Sequence, residues 1–278
     1  MEVLLAEKHG FCFGVRRAIK IAEKNKGAHT LGPLIHNYQE INRLKRDFSV
    51  GLHENFREAI DNQKEGSTLI IRTHGIPKDD LEEIQKKDFN LVDATCPFVT
   101  KPQQIAQEMS DEGYKIVIFG DIEHPEIKGV MSYANGGAIV ISSPSELETI
   151  KLPRKVALIS QTTKQIQAFS QIASFLIAKC QEVRIFNTIC NATFDNQNAA
   201  RELSQKVDIM IVVGGKTSSN TKQLLHIAKQ NCEDSYLVED ESEVKKEWFG
   251  GKKTCGITAG ASTPDWIVQK VREYIEGI

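Results

Sequence analysis

No run of eighteen apolar residues occurs anywhere in the 278-residue chain, so no segment has the length and apolarity of a transmembrane helix. Aromatics make up only 7%, and the 35 Lys and Arg form no dense block against 37 Asp and Glu. With a net charge of −2, a nucleic-acid or membrane-surface role is not expected. Low-complexity and linker-like stretches are missing too, which excludes loosely tethered modules. At the N-terminus, MEVLLAEKHG has too short an apolar run for a signal peptide and carries Glu2 and Glu7. A cytoplasmic chain is expected, in which six cysteines without a local CxxC pair point to metal, catalysis or core packing rather than disulfides.

At 40% hydrophobic and 26% charged, the chain has the make-up of an ordinary globular protein with two or three small domains. Short β-rich runs alternate with amphipathic helical stretches, the pattern of α/β units with parallel strands. Three apolar runs deliver a cysteine into a turn: EVLLAEKHGFC at Cys12, NLVDATC at Cys96 and RIFNTIC at Cys190. The intervals are 84, 94 and, counted from Cys190 round to Cys12, 100 residues. Repeats of this length predict three α/β domains: 13–96, 97–190, and 191–278 completed by 1–12. The N-terminal strand should fill the last sheet. Three units closing a cycle make a pseudo-threefold (trefoil) arrangement the expected fold, and because ligands lie beyond the carboxyl ends of parallel strands, sheets facing a common axis would point their loops at one central cavity.

Helical stretches are expected at Val15–Lys24, Lys101–Gly113, Ile127–Asn135, Asn198–Lys206 and Pro264–Glu276, with further short helices in SPSELETI and ESEVKKEWF.

The strand ends gather the chemistry. They carry Cys12, Cys96 and Cys190; His36 and His74; His124 and Glu126; Thr162 and Thr163; Ser218, Ser219 and Asn220; and Ser262. Three thiolates from equivalent positions suit a metal with an incomplete ligand set, since structural zinc takes four ligands while a three-cysteine iron–sulfur cluster leaves one iron open. Buried structural cysteines are the alternative. The polar turns suit an anion: HPE, SSNT and STPD look like helix starts, where N–H groups and the dipole favour phosphate, although simple capping uses the same residues. Glu126 is the candidate proton donor, tunable by burial, or else an ordinary acid in a first helical turn. GGKTSS lacks the spacing of a P-loop, and the sequon at Asn191 has no consequence in a cytoplasmic chain. His9, His29, His53 and His226 read as surface residues. Cys255 reads as core, with Cys180 and Cys232 packing at helix ends.

With these residues assembled, the whole chain resembles the LytB family of 4-hydroxy-3-methylbut-2-enyl diphosphate reductases. GFCFGVRRAI, GPLIHN, RTHG, DATCP, HPE, QTT, TIC, SSN and TAGAS carry the resemblance. It implies a 4Fe-4S cluster on Cys12, Cys96 and Cys190 with an open fourth iron for the substrate hydroxyl, found as a three-iron form once the labile iron is lost. It also implies a diphosphate held by His36, His74, His124, Ser218, Ser219, Asn220 and Ser262. Glu126, with Thr162 and His124, takes the catalytic proton-delivery position. The implied reaction is a two-electron reductive dehydroxylation to isopentenyl and dimethylallyl diphosphate, with electrons from a donor such as ferredoxin or flavodoxin. Asn191 and Asn196 depart from the family pattern, which leaves their local contacts open. Two rivals predict different preparations: a zinc hydrolase would be colourless and carry zinc, and a phosphate-ligand sensor would be indifferent to Cys96→Ser.

Overall fold

The chain opens with β1 (Glu2–Leu5) and builds two complete sheets before it returns to that strand. A computed structural model describes all 278 residues, Met1 to Ile278. β2 (His29–Leu31), β3 (Gly51–His53), β4 (Thr68–Ile71) and β5 (Asn90–Asp93) form a sheet in the order β3-β2-β4-β5. β6 (Lys115–Phe119), β7 (Ala138–Ile141), β8 (Lys155–Ser160) and β9 (Glu182–Ile185) repeat it as β7-β6-β8-β9. β10 (Ile209–Val213), β11 (Ser235–Val238) and β12 (Thr254–Ala259) repeat it again as β11-β10-β12-β1. Every strand pair is parallel. The N-terminal strand therefore occupies the fourth position of the third sheet, with Val3 opposite Cys255 and Leu5 opposite Ile257.

The helices are α1 (Phe13–Lys24), α2 (Tyr38–Phe48), α3 (Phe56–Asn62), α4 (Lys78–Gln85), α5 (Pro97–Asp111), α6 (Pro125–Ser132), α7 (Ile166–Lys179), α8 (Asn191–Ser204), α9 (Ser219–Lys229) and α10 (Asp265–Glu276). Apolar spacing explains most of them: Val15, Ala18, Ile19 and Ala22 of α1 are all buried. The central strands read as unbroken aliphatic runs, IMIVV in β10 for instance, because helices cover both faces of a parallel sheet.

The chain divides into two compact units. One comprises Met1–Arg16, Ile35–Arg43 and Asn191–Ile278. Its sheet is packed on one face by Ile267, Val268, Val271 and Ile275 of α10 and on the other by Leu203 of α8 and Leu224 of α9. The other comprises Arg17–Leu34 and Leu44–Cys190 and holds the first two sheets. In it Ile105, Ala106 and Met109 of α5 pack on one face of the second sheet, and Phe169, Ile172 and Leu176 of α7 on the other.

Four expectations change. α5 begins at Pro97 rather than Lys101: Pro97 holds the first helical position, and Pro102 sits inside the helix without ending it. α8 begins at Asn191 rather than Asn198, because Thr193, Asn196 and Gln197 make its first buried stripe polar and hide the apolar period. SPSELETI and ESEVKKEWF form only 3-10 turns, over Pro144–Thr149, Glu241–Glu243 and Lys246–Phe249. His53 is neither helical nor on the surface. It ends β3 at 6% exposure, its ring stacked on His29 at 4.9 Å.

Candidate functional site

The three sheets place chemically different residues at matching positions. The fifth residue after β2, β6 and β10 is His36, His124 and Ser218 in turn. His124 and Ser218 are the N-caps of α6 and α9, and His36 precedes Asn37, whose Oδ1 accepts the Glu40 N–H at 3.0 Å. The third residue after β4, β8 and β12 is His74, Thr163 and Ser262. The residue just before each uses its carbonyl to accept a cysteine N–H: Thr73 from Cys96 at 3.0 Å, Thr162 from Cys190 at 3.0 Å, and Ala261 from Cys12 at 3.2 Å. Each of those cysteines stands directly before a helix, α5, α8 and α1 respectively. Carboxyl ends of parallel strands and N-termini of helices are where orphan N–H groups and favourable dipoles collect.

In the unit holding the first two sheets, four predicted residues come together. Glu126 is 2% exposed, and burial pushes its carboxyl up to about 7 even though two Thr162 donors oppose the shift. The Thr162 N–H donates to Oε1 and the hydroxyl to Oε2, both at 2.7 Å. The Nδ1 of His124 accepts the Glu126 N–H at 3.2 Å, so the neutral ring carries its proton on Nε2. His124 stands edge-on to His74, with ring centroids 5.4 Å apart. A carboxyl poised near neutrality and bonded to a hydroxyl can hold a proton and release it.

In the other unit, the Ser262 hydroxyl donates to the His36 carbonyl at 3.2 Å. Gly215 lies so close that a Cβ there would stand 2.4 Å from the same oxygen. The second glycine of GGKTSS thus serves close backbone approach. Ser218 caps α9 by accepting the Thr221 N–H at 3.3 Å, and Ser219 is the first residue of that helix. Asn220 is 4% exposed, yet neither its Oδ1 nor its Nδ2 has a hydrogen-bond partner. A buried carboxamide left this way costs about 1–3 kcal/mol. At a helix N-terminus it suits a ligand that accepts hydrogen bonds.

None of the six cysteines forms a disulfide. Cys232 and Cys255 are buried at 6% and 0%, and burial pushes the Cys255 thiol up to about 12. Cys180 is the partly buried C-cap of α7. Cys12, Cys96 and Cys190 are partly exposed and differ from all three in standing directly before the N-terminus of a helix. Their donor type and setting fit a metal or cluster.

Sequence reasoning passed over Thr73, buried beside His74, and Gln103 of α5, whose amide nitrogen would lie 3.0 Å from a Cβ at Gly75 and 3.3 Å from one at Gly129. It also passed over the buried Thr193, Asn196 and Gln197 of α8. Their one detectable signal is polarity at helical spacing where a core stripe belongs.

Fold and site together define an α/β protein of three like parallel sheets, with cysteines, histidines and hydroxyl residues at the strand ends. The chain belongs to the LytB family: that family's model, described as LytB protein, matches residues 3–276. It is 63% identical over 277 residues to the 4-hydroxy-3-methylbut-2-enyl diphosphate reductase of Wolinella succinogenes, covering 100% of this chain and 99% of that one. A solved structure of (E)-4-hydroxy-3-methyl-but-2-enyl diphosphate reductase, the terminal enzyme of the non-mevalonate pathway, is 40% identical over the whole of both chains with a TM-score of 0.71. The structure of the corresponding reductase from Plasmodium falciparum is 25% identical, covers 99% of this chain and 87% of its own, and has a TM-score of 0.89.

Proposed function

We propose that this chain reduces (E)-4-hydroxy-3-methylbut-2-enyl diphosphate to isopentenyl and dimethylallyl diphosphate, the last step of the non-mevalonate isoprenoid pathway. Membership of the LytB family over residues 3–276 supports the substrate class. The observation that carries the chemistry is the buried Glu126 carboxyl paired with Thr162. The reaction breaks the allylic C–O bond, consumes two electrons and two protons, and releases the oxygen as water.

Cys12, Cys96 and Cys190 would hold a 4Fe-4S cluster. When bound, that group supplies single electrons and a Lewis-acid site for the hydroxyl oxygen. His36, His74, His124, Ser218, Ser219, Asn220 and Ser262 bind the diphosphate, and the polarity of their turns supports this. Thr162 orients the substrate hydroxyl. Glu126 stores the proton on Oε2, where the Thr162 Oγ1 is 2.7 Å away. With its carboxyl at about 7, both protonation states are populated near neutral pH, so a proton can move either way along this contact. The electron donor is a one-electron carrier such as ferredoxin or flavodoxin, and the location is cytoplasmic. The same reading divides the chain into domains 13–96, 97–190, and 191–278 with 1–12, which the common strand order supports.

Anaerobic purification with iron, sulfide and zinc analysis, followed by turnover with a reduced viologen dye, tests the proposal. Brown protein that forms both products is expected, and Glu126→Gln should keep iron and substrate binding while losing most turnover. Colourless protein with stoichiometric zinc would sink the reductase reading.

A further inference from the structure

We infer that Glu40 is a positioning residue: its buried carboxylate, tied to Trp266, fixes the turn that carries His36 on the third sheet. This inference rests on the reading of His36 as a diphosphate donor and says how that donor is held. Glu40 is 1% exposed and is the third residue of α2. Its carboxylate accepts the Arg43 Nε at 3.0 Å on each oxygen and the Arg43 Nη2 at 2.7 Å on Oε1, so the buried charge is neutralised from within its own helix. The indole N–H of Trp266 donates to Oε2 at 3.2 Å. Trp266 belongs to α10, 226 positions away, and this bond is what joins the two helices.

The turn ahead of Glu40 is held from three further places. Past β10, Gly215 lies so close to the His36 carbonyl that no side chain fits, and past β12 the Ser262 hydroxyl donates to that carbonyl. Past β11, Asp240 accepts a hydrogen bond from the Gln39 amide. Ile35–Arg43 accordingly belongs to the compact unit built on the third sheet, although in sequence it follows β2 of the first. Gln39 and Asp240 are half-buried, whereas Glu40 is sealed in. Water does not replace a bond lost on a carboxylate this buried, so the tie to Trp266 holds the turn where the others alone leave it looser.

Two substitutions isolate the tie. Trp266→Phe keeps an aromatic ring and removes the N–H, and since Trp266 is 38% exposed the fold should tolerate it. Glu40→Ala removes the acceptor, and the Arg43 side chain, 23% exposed, is within reach of water.

The wild-type holoprotein, both variants and the same two changes in a His36→Asn background are compared by calorimetric titration with inorganic diphosphate and by steady-state kinetics with the proposed substrate. Each change alone should weaken diphosphate binding and raise KM on the order of tenfold with a smaller change in kcat, the size of one hydrogen bond to a charged group. On His36→Asn, either change should add less than about twofold, because the ring that the tie places is gone. A contact that only stabilises the fold would lower the melting temperature and leave KM alone, or would cost the same with and without His36; either result overturns the inference. If wild-type protein neither binds diphosphate nor turns over substrate, the functional reading falls and takes this inference with it. If it does both and the two variants match it, this inference falls alone.

Discussion

Replacing Glu126 with Gln should remove a pH dependence of stability whose size and sign follow from burial. In the fold the carboxyl titrates at about 7, against an ordinary value of 4.5. Below pH 4.5 both folded and unfolded chains hold the proton, and the group contributes no slope. As pH rises from there to about 7, the unfolded chain gives up its proton while the folded chain keeps it, so stability falls with rising pH. At about 1.4 kcal/mol per pH unit the loss across that window is about 3 kcal/mol, complete above the folded value. Gln in place of the carboxyl keeps an oxygen for the Thr162 N–H and offers its NH2 to the Thr162 hydroxyl, as a protonated carboxyl would. Its stability should therefore lack this slope. Urea unfolding of wild type and Glu126→Gln at half-unit steps from pH 5 to 8 checks this. The variant should gain about 3 kcal/mol on wild type across the series. Parallel curves would mean the carboxyl titrates normally and is not the proton store.

Gly215→Ala puts a Cβ 2.4 Å from a backbone oxygen, His36 O, that has no flexible end to yield. A cost of about 2 kcal/mol in stability and weaker binding of inorganic diphosphate are expected, read by thermal melting and calorimetry; a variant matching wild type in both contradicts the close approach. The cysteines should separate cleanly. Cys96→Ser should lose iron and sulfide, whereas Cys255→Ala should keep both, and full iron content in the first variant would remove Cys96 from the ligand set.

The repeat was legible because a parallel sheet imposes a register that single residues betray. Cys12, Cys96 and Cys190 follow strands that all occupy the fourth position of their sheets, and the wrap-around of β1 followed from that periodicity. Boundaries failed where two signals competed. Beginning α5 at Lys101 misses Pro97, which holds the first helical position that proline favours, while Pro102 lies inside the helix. The start of α8 was hidden because its buried face is built from Thr193, Asn196 and Gln197 rather than aliphatic residues. His53 was misplaced because β3 is three residues long, too short to show alternation. Thr73 was illegible for a different reason. Its hydroxyl bonds to the Leu34 carbonyl, 39 positions away, and no local pattern encodes that meeting.

The wrap-around has its own energetic consequence. β1 pairs with β12 over four residues, Glu2 to Leu5. Val3 and Leu5 pack against the cluster containing Ile257 and Val271, and Leu4 and Ala6 against the one containing Met210 and Leu224. Deleting Glu2 to Glu7 removes three half-buried aliphatic side chains and the fully buried Ala6, about 4 kcal/mol at about 1 kcal/mol each. It also turns β12 from an inner strand into an edge with an unpaired row of backbone groups. A loss of this size is a large share of the 5–15 kcal/mol that holds a typical protein together, and should lower the melting temperature by about 10 °C. The first sheet should be untouched, so hydrogen exchange should accelerate in β10 and β12 while β2 and β4 stay protected. An unchanged melting temperature, or exchange that rises equally in all three sheets, would show that β1 is not an integral strand of the third sheet.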